Sequence, residues 1–102
     1  MTRWHRCVTY RLLERADLDI AEILDFIANF DEAAADRLNR QIVRAFAILG
    51  DSPMLGHTRT DLTTQDLRFW PVRHWLIVHR GRNPVEIVAV LDARRDLFSL
   101  LP

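Results

Sequence analysis

Two consecutive stretches of helical periodicity constrain the fold of this chain most strongly. Apolar residues recur three or four positions apart over 16–27 and again over 35–49, which places each series on one face of an α-helix. Asp31 lies between the two stretches, where it can cap the second helix, and residues 50–53 end that helix. The apolar face of the second helix is predicted to consist of Ala35, Leu38, Ile42, Ala45, Phe46 and Leu49. Two such helices with a short connection predict an antiparallel helical hairpin.

Four other stretches are predicted to be strands because they alternate or are rich in β-branched and aromatic residues. They are residues 7–12, 67–72, 75–81 and 85–91. Residues 81–84, GRNP, have the composition of a hairpin turn. This order predicts a single α+β domain over residues 1–102: an N-terminal strand, the α-helical hairpin, and then a three-stranded antiparallel β-meander. The hairpin should cover one face of an antiparallel sheet and leave the other face open.

The strand over 75–79 is expected to have two different faces, because successive side chains point to opposite sides of a sheet. Leu76 and Val78 share one face, and we expect them to pack on the helices. Trp75, Ile77 and His79 share the other face, which we expect to be a basic and aromatic partner surface.

Charge is distributed unevenly, although the formal net charge is zero. Residues 14–36 hold eight acids and one arginine, whereas the rest of the chain is basic, and all fourteen basic residues are arginine. Arginine forks suit carboxylate and phosphate partners. The N-terminus has no apolar region of the secretory type, and the single Cys7 cannot form an intrachain disulfide. We therefore expect a cytoplasmic protein.

Metal and cofactor motifs are absent from the sequence. One cysteine and histidines without paired spacing do not supply the four converging ligands of a zinc site. The sequence has no glycine-rich phosphate loop, nucleophile triad or dinucleotide motif. We expect neither a metal nor a cofactor.

Four segments in order resemble the RelE/ParE superfamily, the toxins of bacterial type II toxin–antitoxin pairs. They are YRLLERADLDIAEILDFIA (10–28), ILGDSPMLGHTRTDL (48–62), LRFWPVRHWLIVHR (67–80) and VEIVAVLDARRDL (85–97). The resemblance covers nearly the whole chain. It implies a small toxin domain that is neutralised by a cognate antitoxin and forms a hetero-oligomer with it.

The branch of the superfamily decides which function the resemblance implies. RelE-like members cleave messenger RNA on the ribosome, whereas ParE-like members inhibit DNA gyrase without nuclease chemistry. The ribonucleases use two arginines and a tyrosine at positions that are Leu76, Arg94 and Leu100 here. Only the arginine at 94 is kept, so the resemblance favours the ParE-like branch and a non-catalytic toxin. Ala89 and Asp92 stand where ParE-like members usually have Arg and His.

Two partner surfaces are expected from these residues. The target, which the resemblance implies to be DNA gyrase, should contact Arg73, Arg80, Arg94, Arg95 and Asp96. The antitoxin should contact Arg37, Arg40, Arg44 and Trp75. We expect it to lay an amphipathic segment against the helical hairpin and an extended one along a sheet edge.

Two alternatives stay open on the sequence alone. In the first, the chain is an RNA endonuclease with a reduced catalytic set of Arg73, His79 and Arg94, acting on ribosome-bound mRNA. In the second, the domain has lost its toxicity and only binds its antitoxin.

Overall fold

The computed structural model describes residues 9–101 and has the predicted order of elements. These elements are β1 (Tyr10–Leu12), α1 (Glu14–Ala28), α2 (Glu32–Asp51), β2 (Arg68–Val72), β3 (Trp75–Arg80), β4 (Val85–Asp92) and α3 (Leu97–Leu100). The prediction of an α+β domain with a helical hairpin and a three-stranded meander is confirmed. Residues 7 and 8 of the predicted first strand lie outside the described residues.

The four strands form one sheet in the order β1-β4-β3-β2. The meander β2–β3–β4 is antiparallel as predicted, but β1 pairs with β4 in parallel, from Tyr10 opposite Val85 to Leu12 opposite Ile87. The sheet is therefore mixed, and the expectation of a purely antiparallel sheet was wrong. The connection between β1 and β4 is long enough to return the chain in the same direction, because it contains both helices and two further strands.

The helices begin and pack as their sequences predict. Glu14 and Asp17 lie in the first turn of α1, where acids favour the positive end of the helix dipole. Asp31 caps α2, since its Oδ1 accepts the N–H of Ala34 at 3.1 Å. All six residues predicted for the apolar face of α2 are buried. Within the described residues, no helix combines the length and apolar composition needed to cross a bilayer.

The main hydrophobic core lies between the helical hairpin and one face of the sheet. Ala16 and the apolar face of α2 contact strand residues of this core, and Trp75 packs against its margin. The strand residues that contribute to it are Ile77, Val85, Ile87 and Val90. Ile77 and Trp75 therefore face the helices, whereas Leu76 and Val78 were expected to do so. That expectation was wrong because both sides of β3 are apolar, and alternation does not say which side meets the helices.

The other face of the sheet is covered, contrary to the expectation of an open face. A second core forms there from Leu67, Phe69, Leu76, Val78, Val88, Ala89 and Leu91. Partly buried leucines from the junction of β1 and α1, from the loop after α2 and from the C-terminal segment pack on it; they are Leu13, Leu62, Leu97, Leu100 and Leu101. The expectation failed because these leucines lie in loops and in a four-residue helix, segments too short to show a periodicity that marks core residues.

A β-bulge at Val88 explains the continuous apolar run of β4. His79 pairs with Ile87 and Val78 with Ala89, so Val88 is an extra residue without a partner on β3. Val88 and Ala89 both belong to the second core, whereas Ile87 belongs to the main core. At the bulge, two successive side chains point to the same face of the sheet, and the alternation then resumes. In this way, β4 buries side chains on both faces of the sheet.

The two edges of the sheet differ. On the β2 edge, His57 exchanges both backbone hydrogen bonds with Phe69, at 2.9 and 2.7 Å. Two residues further along, Pro71 has no N–H to offer a partner strand. On the opposite edge, β1 pairs with β4 only as far as Ile87. Beyond that point, the N–H of Val90 is bonded at 3.0 Å to Oδ2 of Asp19 on α1.

Candidate partner-binding site

The turn between β2 and β3 carries the first elements of the site. Val72 pairs with Trp75, which leaves Arg73 and His74 as a two-residue turn. Arg73 has a φ of +57°, in the left-handed region that such tight turns require. The His74 ring lies against Trp75 with a centroid distance of 4.5 Å. The carbonyl of His74 accepts the N–H of Ala93 at 2.8 Å, so the turn is bonded to the segment that follows β4.

A groove of about 490 Å³ lies between α1 and the adjoining ends of β3 and β4. We call it the α1 groove; it is lined by Glu22, Ile23, Phe26, Ile27, His74, Trp75, Asp92, Arg94 and Arg95. The side of the groove formed by α1 and Trp75 is largely apolar, and Phe26 is 65 % exposed. The opposite side carries the two arginines. This combination suits an amphipathic partner with apolar and acidic side chains.

Arg94 has a fixed position at the rim of the α1 groove. Its Nε and Nη2 donate to Oδ1 and Oδ2 of Asp92 at 3.0 and 2.9 Å, and its backbone N–H donates to Oδ1 at 2.9 Å. These hydrogen bonds lower the pKa of Asp92 to about 2. Arg95 has no ion pair within residues 9–101, and its backbone N–H donates to the Asp92 carbonyl. Asp96 is exposed at the start of α3, where its side chain makes no capping hydrogen bond.

The three arginines expected to bind the antitoxin form a ridge on α2. Arg37, Arg40 and Arg44, here the arginine ridge, are all exposed and have no ion pair with any residue from 9 to 101. Arg37 also lines a second groove together with Arg73 and Trp75. Trp75 is therefore shared by both grooves. The structure brings residues predicted for the antitoxin next to residues predicted for the target.

Arg80 lies apart from the other predicted target residues. It ends β3, whereas Arg73 precedes the first residue of that strand, and six to seven extended residues span ~20 Å. Its Nε donates to Oε1 of Glu86 at 2.8 Å, and Arg11 also bonds to Glu86. The hydrogen bonds from Arg11 and then Arg80 lower the pKa of Glu86. Arg80 therefore belongs to a different end of the sheet.

Comparison with known proteins identifies the family. The sequence model of the ParE toxin of the type II toxin–antitoxin system, parDE, matches residues 10–97. The chain belongs to the ParE toxin family. No curated protein was found to match it. The match runs from β1 to the first residue of α3, so it includes the α1 groove and the arginine ridge.

His79 of this ParE-family toxin is not placed as a general base. Its side chain is fully buried, and neither ring nitrogen has a hydrogen-bond partner among residues 9–101. Burial, together with the charge of Arg68, lowers the pKa of His79 to about 4, so the ring is neutral near pH 7. His79 also lies near the Arg80 end of β3, away from Arg73 and Arg94. The reduced catalytic set of these three residues is not assembled in this fold.

The two leucines at ribonuclease positions are part of the ParE-family toxin's second core. Leu76 is 7 % exposed and packs among the buried side chains of that core, and Leu100 packs against it. Apolar side chains at both positions can neither bind a phosphate nor transfer a proton.

Sequence reasoning missed Phe26 as a residue of the site. Phe26 falls between the apolar positions Ile23 and Ile27, outside the face that packs on α2. An aromatic residue off the apolar face of an amphipathic helix is a usable signal for a partner surface. Asp92 was noted only as a departure from the family pattern, although its spacing two residues before Arg94 allows the ion pair that the structure contains. Within residues 9–101, no three His, Cys, Asp or Glu side chains converge as a metal site.

Proposed function

We propose that this ParE-family toxin inhibits growth by binding a target protein in the bacterial cytoplasm, with DNA gyrase as the target that the family implies, and that a cognate antitoxin neutralises it. The observation that carries the non-catalytic part of this proposal is the burial of Leu76 in the second core. A side chain in that position faces leucines and phenylalanine rather than a cleft. An RNA-cleaving site would need a cation there to stabilise the phosphorane charge.

The target surface that we propose is the rim formed by Arg73, Arg94, Arg95 and Asp96. The side chain of Arg94 is held by two hydrogen bonds to Asp92, so little side-chain freedom is lost when it binds a partner. Arg95 and Arg73 lie on either side of Trp75, and neither guanidinium group forms an ion pair within the described part of the chain. Arg80 would contribute only to a target large enough to reach the opposite end of the sheet.

The antitoxin surface that we propose combines the α1 groove with the arginine ridge. An amphipathic helix could place apolar side chains on Phe26 and Trp75. Its acidic side chains would then meet Arg37 and the rest of the ridge. An extended segment would add on the opposite edge, at β1 and the part of β4 beyond Ile87, because His57 and Pro71 close the β2 edge. Beyond Ile87 it would have to displace Asp19 from the N–H of Val90.

In this arrangement, the antitoxin neutralises the toxin by covering the surface that binds the target. Trp75 lies between the groove that contains Arg37 and Arg73 and the groove that contains Arg94. An antitoxin segment seated on Trp75 therefore covers the proposed target residues on both sides. Growth would resume when the antitoxin is bound because the target surface is no longer accessible.

The experiment that tests the proposed target is controlled expression of the chain with two readouts. Induction of the DNA-damage response without cleavage of transcripts supports gyrase inhibition. Cleavage of ribosome-bound mRNA at defined positions by the purified protein, lost in Arg94→Ala, would instead establish the ribonuclease alternative. Growth that continues normally at high expression of folded protein would favour a domain that only binds its antitoxin.

The antitoxin surface is tested separately by charge reversal. Replacing Arg37, Arg40 and Arg44 by Glu should weaken binding of the antitoxin and reduce the salt dependence of its association. Replacing Arg59 by Glu is the matched control, because Arg59 is already paired with Asp61 in the loop before β2. Unchanged binding and salt dependence in the triple variant would restrict the antitoxin to the α1 groove.

A further inference from the structure

A second cluster of arginines surrounds a cavity of about 200 Å³ at the β3–β4 turn, at the end of the sheet opposite the α1 groove. Arg68, Arg80 and Arg82 line this cavity together with Gly81, Pro53, Met54 and one acid, Asp66. We call the three arginines the arginine pole. The residues of the proposed target and antitoxin rims do not line it. Neither of the two proposed surfaces accounts for this cluster.

Two guanidinium groups of the pole are held in place by the fold. Nη1 of Arg68 donates to the carbonyl oxygens of Gly56 and Met54 at 2.6 and 3.2 Å. Arg80 is held by Glu86 and is still 46 % exposed. Glu86 is shared with Arg11, so a single carboxylate is opposed by two guanidinium groups.

The positive charge of the pole is incompletely neutralised. Arg68 is bonded to carbonyl oxygens and forms no ion pair with residues 9–101. The pKa of the buried His79 is lowered first by burial and then by the positive charge of Arg68. Arg82, in the exposed turn, makes no hydrogen bond or ion pair within the described part of the chain. Three arginines around one open cavity, with Asp66 as the one acid that lines it, favour an anion with several oxygens.

We propose that the arginine pole binds phosphate groups of a nucleic-acid backbone. The cavity has less than half the volume of the α1 groove, which suits the phosphate groups of a nucleic-acid backbone better than an acidic peptide, whose side chains need more room. The pole and the α1 groove lie at opposite ends of β3, so this contact is compatible with a protein partner in the groove. The proposal does not rest on the identity of the toxin's target.

The test is binding of the purified chain to a short fluorescein-labelled DNA duplex, followed by anisotropy between about 50 and 200 mM salt. Two to three phosphate contacts predict that log K falls with log salt with a slope of about −2 to −3. Arg82→Ala should reduce this slope by about 1, and Arg80→Ala with Arg82→Ala by about 2. Glu86→Gln should strengthen binding, because it frees Arg80 and Arg11.

Matched controls separate the pole from other arginines. Arg59→Ala should leave the slope unchanged, because Asp61 already neutralises that side chain. Arg37→Ala with Arg40→Ala and Arg44→Ala should also leave it unchanged. Thermal unfolding of each variant checks folding, and Arg82 is suited to the test because it is exposed and makes no hydrogen bond or ion pair within residues 9–101.

Defined outcomes overturn the proposal. The first is that the duplex does not bind at low salt. The second is that the slope of log K against log salt is the same in the parent, in Arg82→Ala and in the double variant. The third is that the slope is lost in the triple Ala variant of the arginine ridge instead. Displacement of the duplex by polyglutamate as efficiently as by unlabelled DNA would assign the pole to an acidic protein and would also overturn it. Single-stranded RNA that binds with a slope of about 0.7 per contact, rather than 0.9, would support the same phosphate chemistry with RNA as its source.

Discussion

Asp92 binds the guanidinium group of Arg94 with both of its carboxylate oxygens, two residues before it in the chain. Asp92→Asn should leave the fold intact and lower the free energy of unfolding by less than about 1 kcal/mol, because the pair is largely at the surface. It should weaken growth arrest, because Arg94 keeps its charge but loses its fixed orientation. Urea unfolding and a plate assay of toxicity measure the two effects, and toxicity equal to the parent protein would argue against a role for that orientation.

The double replacement of Arg94 and Arg95 by Ala should abolish growth arrest. The reason is that these guanidinium groups form one side of the proposed target surface, whereas neither contributes to a hydrophobic core. The free energy of unfolding should change by no more than about 1 kcal/mol, and antitoxin should still bind. A folded double variant that is fully toxic would remove this rim from consideration and direct attention to the helical hairpin.

His79 should make stability depend on pH above the range in which carboxylates titrate. Its folded pKa of about 4 is below the ordinary value of 6.5, so its contribution to stability is fully present above pH 6.5. It is lost as the pH falls from 6.5 towards 4, and the full loss is about 3 kcal/mol. Chemical denaturation of the parent and of His79→Leu from pH 7.5 to 4.5 measures it. In His79→Leu, the free energy of unfolding should no longer fall over this pH range because of residue 79. If it falls equally in both proteins, the pH dependence comes from other titratable groups.

Gly56 should tolerate no side chain while His79 is present. A Cβ on Gly56 would lie 2.3 Å from Nε2 of His79, so Gly56→Ala forces a displacement that we expect to cost about 1–3 kcal/mol. Combining it with His79→Ala should recover part of this cost, because the space is then vacant. Gly81→Ala is the control: Gly81 has a φ of +70° but no neighbour within 4 Å, so its cost should not depend on residue 79. If the losses in free energy of unfolding caused by Gly56→Ala and His79→Ala are additive, a side chain at residue 56 does not collide with the ring of His79.

Leu76→Ala should destabilise the protein by about 2–5 kcal/mol, as expected for a leucine truncated in a packed core. Leu18→Ala is the matched control in α1, since Leu18 is 57 % exposed and its replacement should cost far less. Thermal or urea unfolding compares them. Similar small losses at both positions would mean that Leu76 is accessible, and the argument against a catalytic residue at this position would weaken.

The helices were predictable because their evidence is local. The apolar series of α2 and its cap at Asp31 depend on residues within a few positions of each other, and both were found as predicted. The faces of the sheet were not predictable in the same way. Leu76 and Ile77 are both large and aliphatic, so the strand itself does not say which one meets the helices. Leu97 and Leu100 cover the second face from the segment just after β4, and Leu62 does so from the loop before β2; no local pattern marks them as core residues.

The candidate site was predicted in pieces rather than as a whole. Arg94, Arg95 and Trp75 were selected from separate stretches, and the structure places them along one groove. Their proximity arises from the pairing of Trp75 with Asp92 across β3 and β4, which depends on register. Arg80 was grouped with them because it lies in the same strand, but strand length carries it to the opposite end. Sequence proximity was a poor guide in that instance.

The difference between the two sheet edges bears on how copies of the toxin can assemble with one another. A fibril that grows by strand addition needs two available edges on each copy, one for each neighbour. His57 and Pro71 remove the β2 edge from that role. Two copies could still join through their β4 sides, but that contact is closed by its own two-fold symmetry and offers no place for a third. At high local concentration, the backbone hydrogen bonds of His57 and the missing N–H of Pro71 should therefore keep strand addition between copies of the toxin from becoming open-ended.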